Sequence, residues 1–302
     1  MKIQVKDDFD LEKIIYSGQC FRPVQKDGVF RFITGENILF AREISRAKNS
    51  VTLEVSCPEN EWDEIWRPYF DLDRNYGKLR RLAENDSFLK NAADFGRGIR
   101  ILRQDPWEML ISYIISQRKS IPAIRTSIER ICSCCGNRVT TELDNTQCVN
   151  ASPASKSTQC VRSFNDFYIP EELRKIHLFP SPVQLLTAEG LEDCGLGYRL
   201  PYIKEAARMA ADGEINPDAL ILLSNDELFA KLNTIKGVGT KVANCVMLFG
   251  YSRTDRAPVD VWIKRIIDNE YGGNDPFPTF GDAAGIMQQY AFNYMVSRAH
   301  SS

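Results

Sequence analysis

The sequence predicts an α+β fold in which a small antiparallel sheet precedes a mainly helical remainder, and three observations carry that prediction. Up to about residue 70, short stretches alternate in character at every second residue and are separated by turn-type breaks such as Lys26-Asp27-Gly28. From about residue 73 the apolar period becomes that of helices, most of them opened by a proline or a capping side chain. Between Gly136 and Phe167, Ser, Thr, Asn and Gln replace the apolar periodicity, which is the composition of a flexible surface insertion. The expected organisation is an antiparallel α+β domain at 1–97 and a helical region at 98–302, the latter interrupted at 136–167.

Taken in order, Lys2–Lys6, Val29–Thr34, Asn37–Glu43 and Ser50–Ser56 read as strands, with Asp10–Tyr16 and Glu59–Tyr69 as helices packed on them. Helices are then expected at Arg74–Asn85, Ser87–Phe95, Pro106–Gln117 and Ile121–Cys134. No internal repeat and no coiled-coil heptad is present.

With 43% hydrophobic and 26% charged residues, a chain of 302 residues can bury a substantial core. The first residues carry charges where a secretory signal needs an apolar run, and no later segment approaches the roughly eighteen apolar residues of a membrane span. An intracellular protein without membrane contact is expected. Nine cysteines, an odd number without a regular framework, favour reduced thiols. The cluster Cys132, Cys134 and Cys135, with Cys148 and Cys160 beyond it, has neither paired C-x-x-C spacing nor a nearby histidine, so no zinc site is expected. A net charge of −2 does not advertise nucleic-acid binding. Backbone amides and helix ends, however, can collect phosphate contacts while the remaining surface stays acidic.

The segment Leu232 to Cys245 holds the strongest chemical signal: an apolar helix end, the turn Gly237-Val238-Gly239, and a second helix starting at Thr240. This is a helix-hairpin-helix signature, whose glycines let a phosphate approach the backbone and whose opening amides point at the anion. Alone, Gly-Val-Gly reads equally well as a plain turn between packed helices. Downstream, Ala257-Pro258-Val259-Asp260 places a carboxylate at the start of another apolar-periodic helix. Its simplest role is an N-cap, and a capped carboxylate stays ionised beside developing positive charge.

With Lys241 following the hairpin, this pair resembles the helix-hairpin-helix DNA glycosylases, and among them the 8-oxoguanine DNA glycosylase branch. The resemblance extends to Ser17-Gly18-Gln19-Cys20-Phe21-Arg22, Gly98 to Pro106, Leu196-Gly197-Tyr198-Arg199, and Gly285 to Phe292, in the family's order over most of the chain. It implies a TATA-binding-protein-like antiparallel N-terminal domain followed by two mainly helical subdomains with the cleft between them. It also implies a bifunctional glycosylase and abasic-site lyase that flips 8-oxoguanine out of duplex DNA and removes it through a lysine Schiff base.

The roles implied by the resemblance are as follows. Lys241 is the nucleophile and Asp260 stabilises the cationic sugar. Phe292 and Cys245 flank the base, Gln288 bonds its Watson–Crick edge, and the Gly18 carbonyl senses the proton that oxidation adds at N7. Tyr198 wedges into the duplex, while Gly237, Gly239 and Thr240 hold phosphate. Carbonyls of Asn233, Ile235 and Val238 hold a monovalent cation, no cofactor is required, and no iron–sulfur cysteine loop follows Asp260. The partner is damaged double-stranded DNA, bound by a monomer that is DNA-associated and, in a bacterium, cytoplasmic.

Read without the family, Lys241 is an exposed helix lysine, Phe292 core, Gln288 solvated, Tyr198 half-buried and Gly18 a turn glycine. Two departures stand out. Arg118 occupies the place of a gap-filling asparagine, and Ala123 that of an arginine which in some members reads the opposite cytosine. Arg118 is left to plug the gap and Arg199 to contact the opposite base, so relaxed opposite-base specificity is expected. The alternatives are a glycosylase for alkylated bases or for adenine opposite a lesion, and a catalytically silent DNA-binding protein.

Overall fold

The computed structural model describes residues 1–141, 160–162 and 167–301. Five strands, β1 (Lys2–Val5), β2 (Val24–Lys26), β3 (Val29–Thr34), β4 (Asn37–Ala47) and β5 (Ser50–Val55), form one sheet in the order β1-β5-β4-β3-β2. All neighbours are antiparallel. Strand β2, too short to show a period in the sequence, pairs with β3 across a tight turn in which Asp27 and Gly28 both have positive φ. Strand β4 runs past its expected end because a register shift between Glu43 and Ser45 lets pairing resume beyond a bulge.

The sheet is covered on both faces. Phe30, Phe32, Leu39 and Ala41 pack with helix α1 (Leu11–Tyr16) and with Trp62, Trp66 and Phe70. On the opposite face, Val29, Ile33, Ile38 and Phe40 pack against Phe167, Ile169, Leu173, Ile176 and Leu178. Alternating residues thus enter different cores, as a period of two requires. The helical segment at 59–69 contains a π turn, Trp62–Trp66, which buries both tryptophans.

A second, three-stranded sheet joins β6 (Arg138–Thr141), β7 (Cys160–Arg162) and β8 (Ile176–His177) in the order β7-β6-β8. Two of these strands fall inside the segment expected to be a flexible insertion, because long-range pairing of β6 with β7 and β8 supplies bonds that local composition does not reveal. Residues 142–159 and 163–166, Cys148 included, lie outside the described residues.

The helical region is built from α2 (Ser87–Phe95), α3 (Pro106–Ser116), α4 (Ile121–Cys135), α5 (Leu200–Ala211), α6 (Asn225–Asn233), α7 (Thr240–Tyr251), α8 (Val261–Tyr271) and α9 (Ala284–Ser301). Helix α3 is buried from Trp107 to Ile115, which makes it the central helix. Helix α2, placed by sequence in the first domain, packs in the helical core. The helix expected at 74–85 is shorter, an Asn75-capped turn Tyr76–Arg80 followed by a 3-10 turn. Among the described residues no helix is long and apolar enough to cross a membrane.

Arg100 locks the two regions together. Fully buried, it donates to the carbonyls of Asp8, Phe70, Asp71 and Arg74 and to the Asp7 carboxylate, with its plane 4.1 Å from the Tyr76 ring centroid. A buried cation is tolerable only with this degree of satisfaction. Its own carbonyl accepts from Gln19 Nε2 at 2.8 Å, which ties the loop after α1 to the same anchor.

Candidate active site

Five elements converge on a small cavity of about 50 Å³. Helix α7 supplies Lys241, Cys245 and Phe249, successive residues at a spacing of four and so on one face. Helix α9 contributes Gln288, Gln289 and Phe292, α3 contributes Tyr113, and the turn before α8 contributes Pro258 and Asp260. Gly18, on the loop after α1, completes the lining. Gly18, Tyr113, Lys241, Asp260 and Phe292 also line the adjoining groove of about 970 Å³, so the cavity is a recess in the wall of a much larger cleft.

The Lys241 ammonium lies 5.2 Å from the centroid of the Tyr113 ring, which is itself stacked on Phe249 at 5.6 Å. Lys241 also hydrogen-bonds the Cys245 thiol one helical turn on. Burial pushes the thiol pKa up, with Lys241 acting in the opposite direction, so Cys245 is a neutral apolar wall rather than a competing nucleophile. Asp260 is the N-cap of α8: Oδ1 accepts from the amides of Trp262 and Ile263, each at 2.9 Å. The expected cap is therefore present, and the same carboxylate lines the cavity with Lys241.

Gln288 is 4% exposed, its Nε2 donates to the Pro258 carbonyl at 3.2 Å, and its Oε1 is buried with no partner. An orphaned acceptor in a recess is costly unless a ligand donor meets it. Gly18 has φ +86°, a conformation that glycine adopts at little cost. The Phe292 ring, half-buried, packs against it.

In the hairpin, Gly237 has φ +88° and packs so tightly on the Tyr202 ring that a Cβ would come within 2.6 Å of it, while Gly239 faces open space. Gly239 caps α7 without a side-chain bond, leaving the amides of the first turn, beginning at Thr240, without a capping side chain. Gln117 Nε2 donates to the Gly237 carbonyl at 3.0 Å and fastens the hairpin to the end of α3. Asn233 ends α6, and Ile235 and Val238 form the buried turn, in which the Val238 amide donates to the Ile235 carbonyl at 2.9 Å. Such neutral carbonyl oxygens suit a hard cation rather than a soft metal. Among the described residues no cluster of His, Cys, Asp and Glu able to hold a metal occurs.

Tyr198 is 51% exposed and shares a second groove with Arg118, Gly237 and Gly239. Arg118 is exposed at φ +51° and lines both grooves. Arg199 departs from expectation: it is buried, donates through Nε to the Gln117 carbonyl at 2.9 Å and through Nη1 to that of Leu196 at 3.3 Å, and stacks on Tyr198. Its guanidinium holds the loop that carries Tyr198 to the end of α3. Ala123, in the first turn of α4, carries no side-chain donor.

Tyr113, Phe249, Pro258 and Gln289 also line the cavity, and Val261, Trp262, Lys264 and Arg265 the groove, although sequence reasoning gave none of them a role. Tyr113 and Phe249 sit in apolar helices and read as core. Gln289 carried a usable signal, a second amide in the otherwise apolar run that precedes Phe292.

The family model of the 8-oxoguanine DNA glycosylase N-terminal domain matches residues 2–110. A probable N-glycosylase/DNA lyase of Methanothermobacter thermautotrophicus is 31% identical over 97% of this chain and 95% of its own length. Among solved structures, MBOgg1 in complex with a low affinity DNA ligand is 32% identical with TM-score 0.79, covering 99% of this chain and 96% of that one. The Clostridium acetobutylicum 8-oxoguanine glycosylase/lyase, in complex with double-stranded DNA containing cytosine opposite 8-oxoG, is 28% identical with TM-score 0.78, covering 99% of this chain and 98% of that one.

Proposed function

This chain belongs to the 8-oxoguanine DNA glycosylase/lyase family, and from that premise we infer how its residues divide the work. It is a bifunctional enzyme that binds DNA, excises 8-oxoguanine and cleaves at the resulting abasic site. The observation that carries the assignment of residues is the single recess in which Lys241, Asp260, Gly18, Gln288 and Phe292 meet.

A stacked base keeps its glycosidic bond out of reach, so the nucleotide is extruded at a cost of a few kcal/mol. Tyr198, exposed at the groove edge, fills the gap, and Arg118 stands beside it. Uncapped amides at the start of α7 hold a backbone phosphate, with Gly239 leaving room for it. The carbonyls of Asn233, Ile235 and Val238 would hold a monovalent cation, which would supply positive charge at the same turn. The extruded base lies against Phe292 and Cys245, and its N1 and N2 protons meet the orphaned Gln288 Oε1. Guanine presents an acceptor at N7 where the oxidised base carries a proton. The Gly18 carbonyl therefore attracts the lesion and repels the normal base.

Lys241, once neutral, attacks C1′ and the base departs with the glycosidic electron pair. Asp260, ionised as a helix cap, stabilises the cationic sugar on the way. The sugar ring then opens at C1′–O4′, O4′ taking the electron pair and a proton as C1′ forms an imine with Lys241; the imine acidifies C2′, and loss of that proton expels the 3′ phosphate. Opposite-base selection is relaxed, because Ala123 lacks a donor and Arg199 is committed to carbonyls.

The reading is tested with a duplex carrying one 8-oxoguanine, with base release and strand scission measured separately. Release of the oxidised base, and scission without added alkali, are expected, with a matched guanine duplex left intact. Equal attack on guanine, or no release from either duplex, overturns it.

A further inference from the structure

We propose that Gln289 and Gln104 are specificity-determining positioning residues, which lock the Gly18 carbonyl so that it cannot turn away from an undamaged guanine. The inference rests on the role given to Gly18 above. A carbonyl that attracts a proton at N7 needs only to be present. One that must repel an acceptor there has also to be held, since a free peptide rotates out of the clash, and glycine is the residue that opposes such rotation least.

The structure holds both neighbouring peptides and leaves Gly18 itself open. Gln289, 3% exposed, donates from Nε2 to the Ser17 carbonyl at 2.6 Å. Gln104, 7% exposed, donates from Nε2 to the Gln19 carbonyl at 3.0 Å, and the Tyr113 hydroxyl donates to the same oxygen at 3.4 Å. The Gln19 side chain bonds the Ser17 hydroxyl and the Arg100 carbonyl, and accepts from the Leu102 amide. Among the described residues no donor reaches the Gly18 carbonyl. Three consecutive carbonyls thus divide into two that buried amides pin and, between them, one without a partner, on a residue that lines the cavity. Lys241 and Asp260 take no part in this network, so selectivity and bond cleavage rest on different groups.

The test replaces the donors without emptying the site. Gln289→Glu keeps size but turns the donor into an acceptor, and Gln289→Leu and Gln104→Leu remove the amide. For each, excision of 8-oxoguanine and of guanine is measured beside strand cleavage at a preformed abasic site, which uses Lys241 with no base in the recess. The 8-oxoguanine to guanine ratio is expected to fall roughly ten- to hundredfold, as loss of one buried partner implies, while abasic-site cleavage falls far less. An unchanged ratio in Gln289→Glu and Gln104→Leu overturns the proposal, as does a parallel loss of all three activities, which marks a purely structural role. Failure of the wild-type protein to prefer the oxidised base is a separate outcome, and overturns the functional reading beneath it.

Discussion

Gly18 and Phe292 are in contact so close that a Cβ on Gly18 would stand 2.8 Å from Phe292 Cε1, on a backbone already at φ +86°. Two separate costs therefore oppose any side chain here, steric overlap and left-handed strain of about 1–3 kcal/mol. Gly18→Ala is expected to slow 8-oxoguanine excision by about tenfold or more and to lower the melting temperature. Single-turnover kinetics and a thermal melt check this; wild-type values in both contradict the packing described.

Asp260→Asn separates cap from charge. An asparagine oxygen accepts the Trp262 and Ile263 amides as well as a carboxylate does, so thermal stability is expected to change little. The missing charge is expected to cost about two to three orders of magnitude in single-turnover rate, with a residual covalent adduct still detectable. A variant that melts early and loses DNA binding shows Asp260 to be a structural cap alone.

Phe292→Ala removes the half-buried ring of the groove wall. Binding to duplex carrying 8-oxoguanine is expected to weaken by roughly 1–3 kcal/mol, the worth of one base–aromatic stack, while binding to undamaged duplex stays the same. Equilibrium titration of both duplexes gives the comparison, and equal weakening on both contradicts a stacking role.

Four duplexes that differ only in the base opposite 8-oxoguanine test the relaxed selection. A single good contact discriminates by about 1–3 kcal/mol, and the two side chains best placed by sequence to supply one are a donorless Ala123 and a carbonyl-bound Arg199. A mild cytosine preference is expected, with appreciable excision opposite the other bases, and Ala123→Arg is expected to sharpen it. A several-hundredfold preference in the unmodified protein contradicts this and points to Arg118, the arginine that lines both grooves.

What the sequence made legible has a physical pattern. Lys241 and Asp260 stood out because each is flanked by turn and cap residues whose local purpose is plain, and the structure sets both on one recess. A one-dimensional motif could not show that the Arg199 guanidinium is bonded to the Gln117 and Leu196 carbonyls. Tyr113 was hidden in a helix buried on every side, and β6 in a polar tract whose pairing partners β7 and β8 lie further along the chain. Local periodicity records burial and turns; it does not record which buried group meets which.

The most direct test of the central claim is reductive trapping on an 8-oxoguanine duplex with wild-type protein and Lys241→Gln, run beside a binding assay. Only a primary amine forms an imine that borohydride can fix. The wild-type chain is expected to give a covalent protein–DNA adduct and strand scission. Lys241→Gln is expected to bind the same duplex yet give neither adduct nor released base. An adduct or wild-type excision from the variant would show that another amine does the chemistry and would contradict the account.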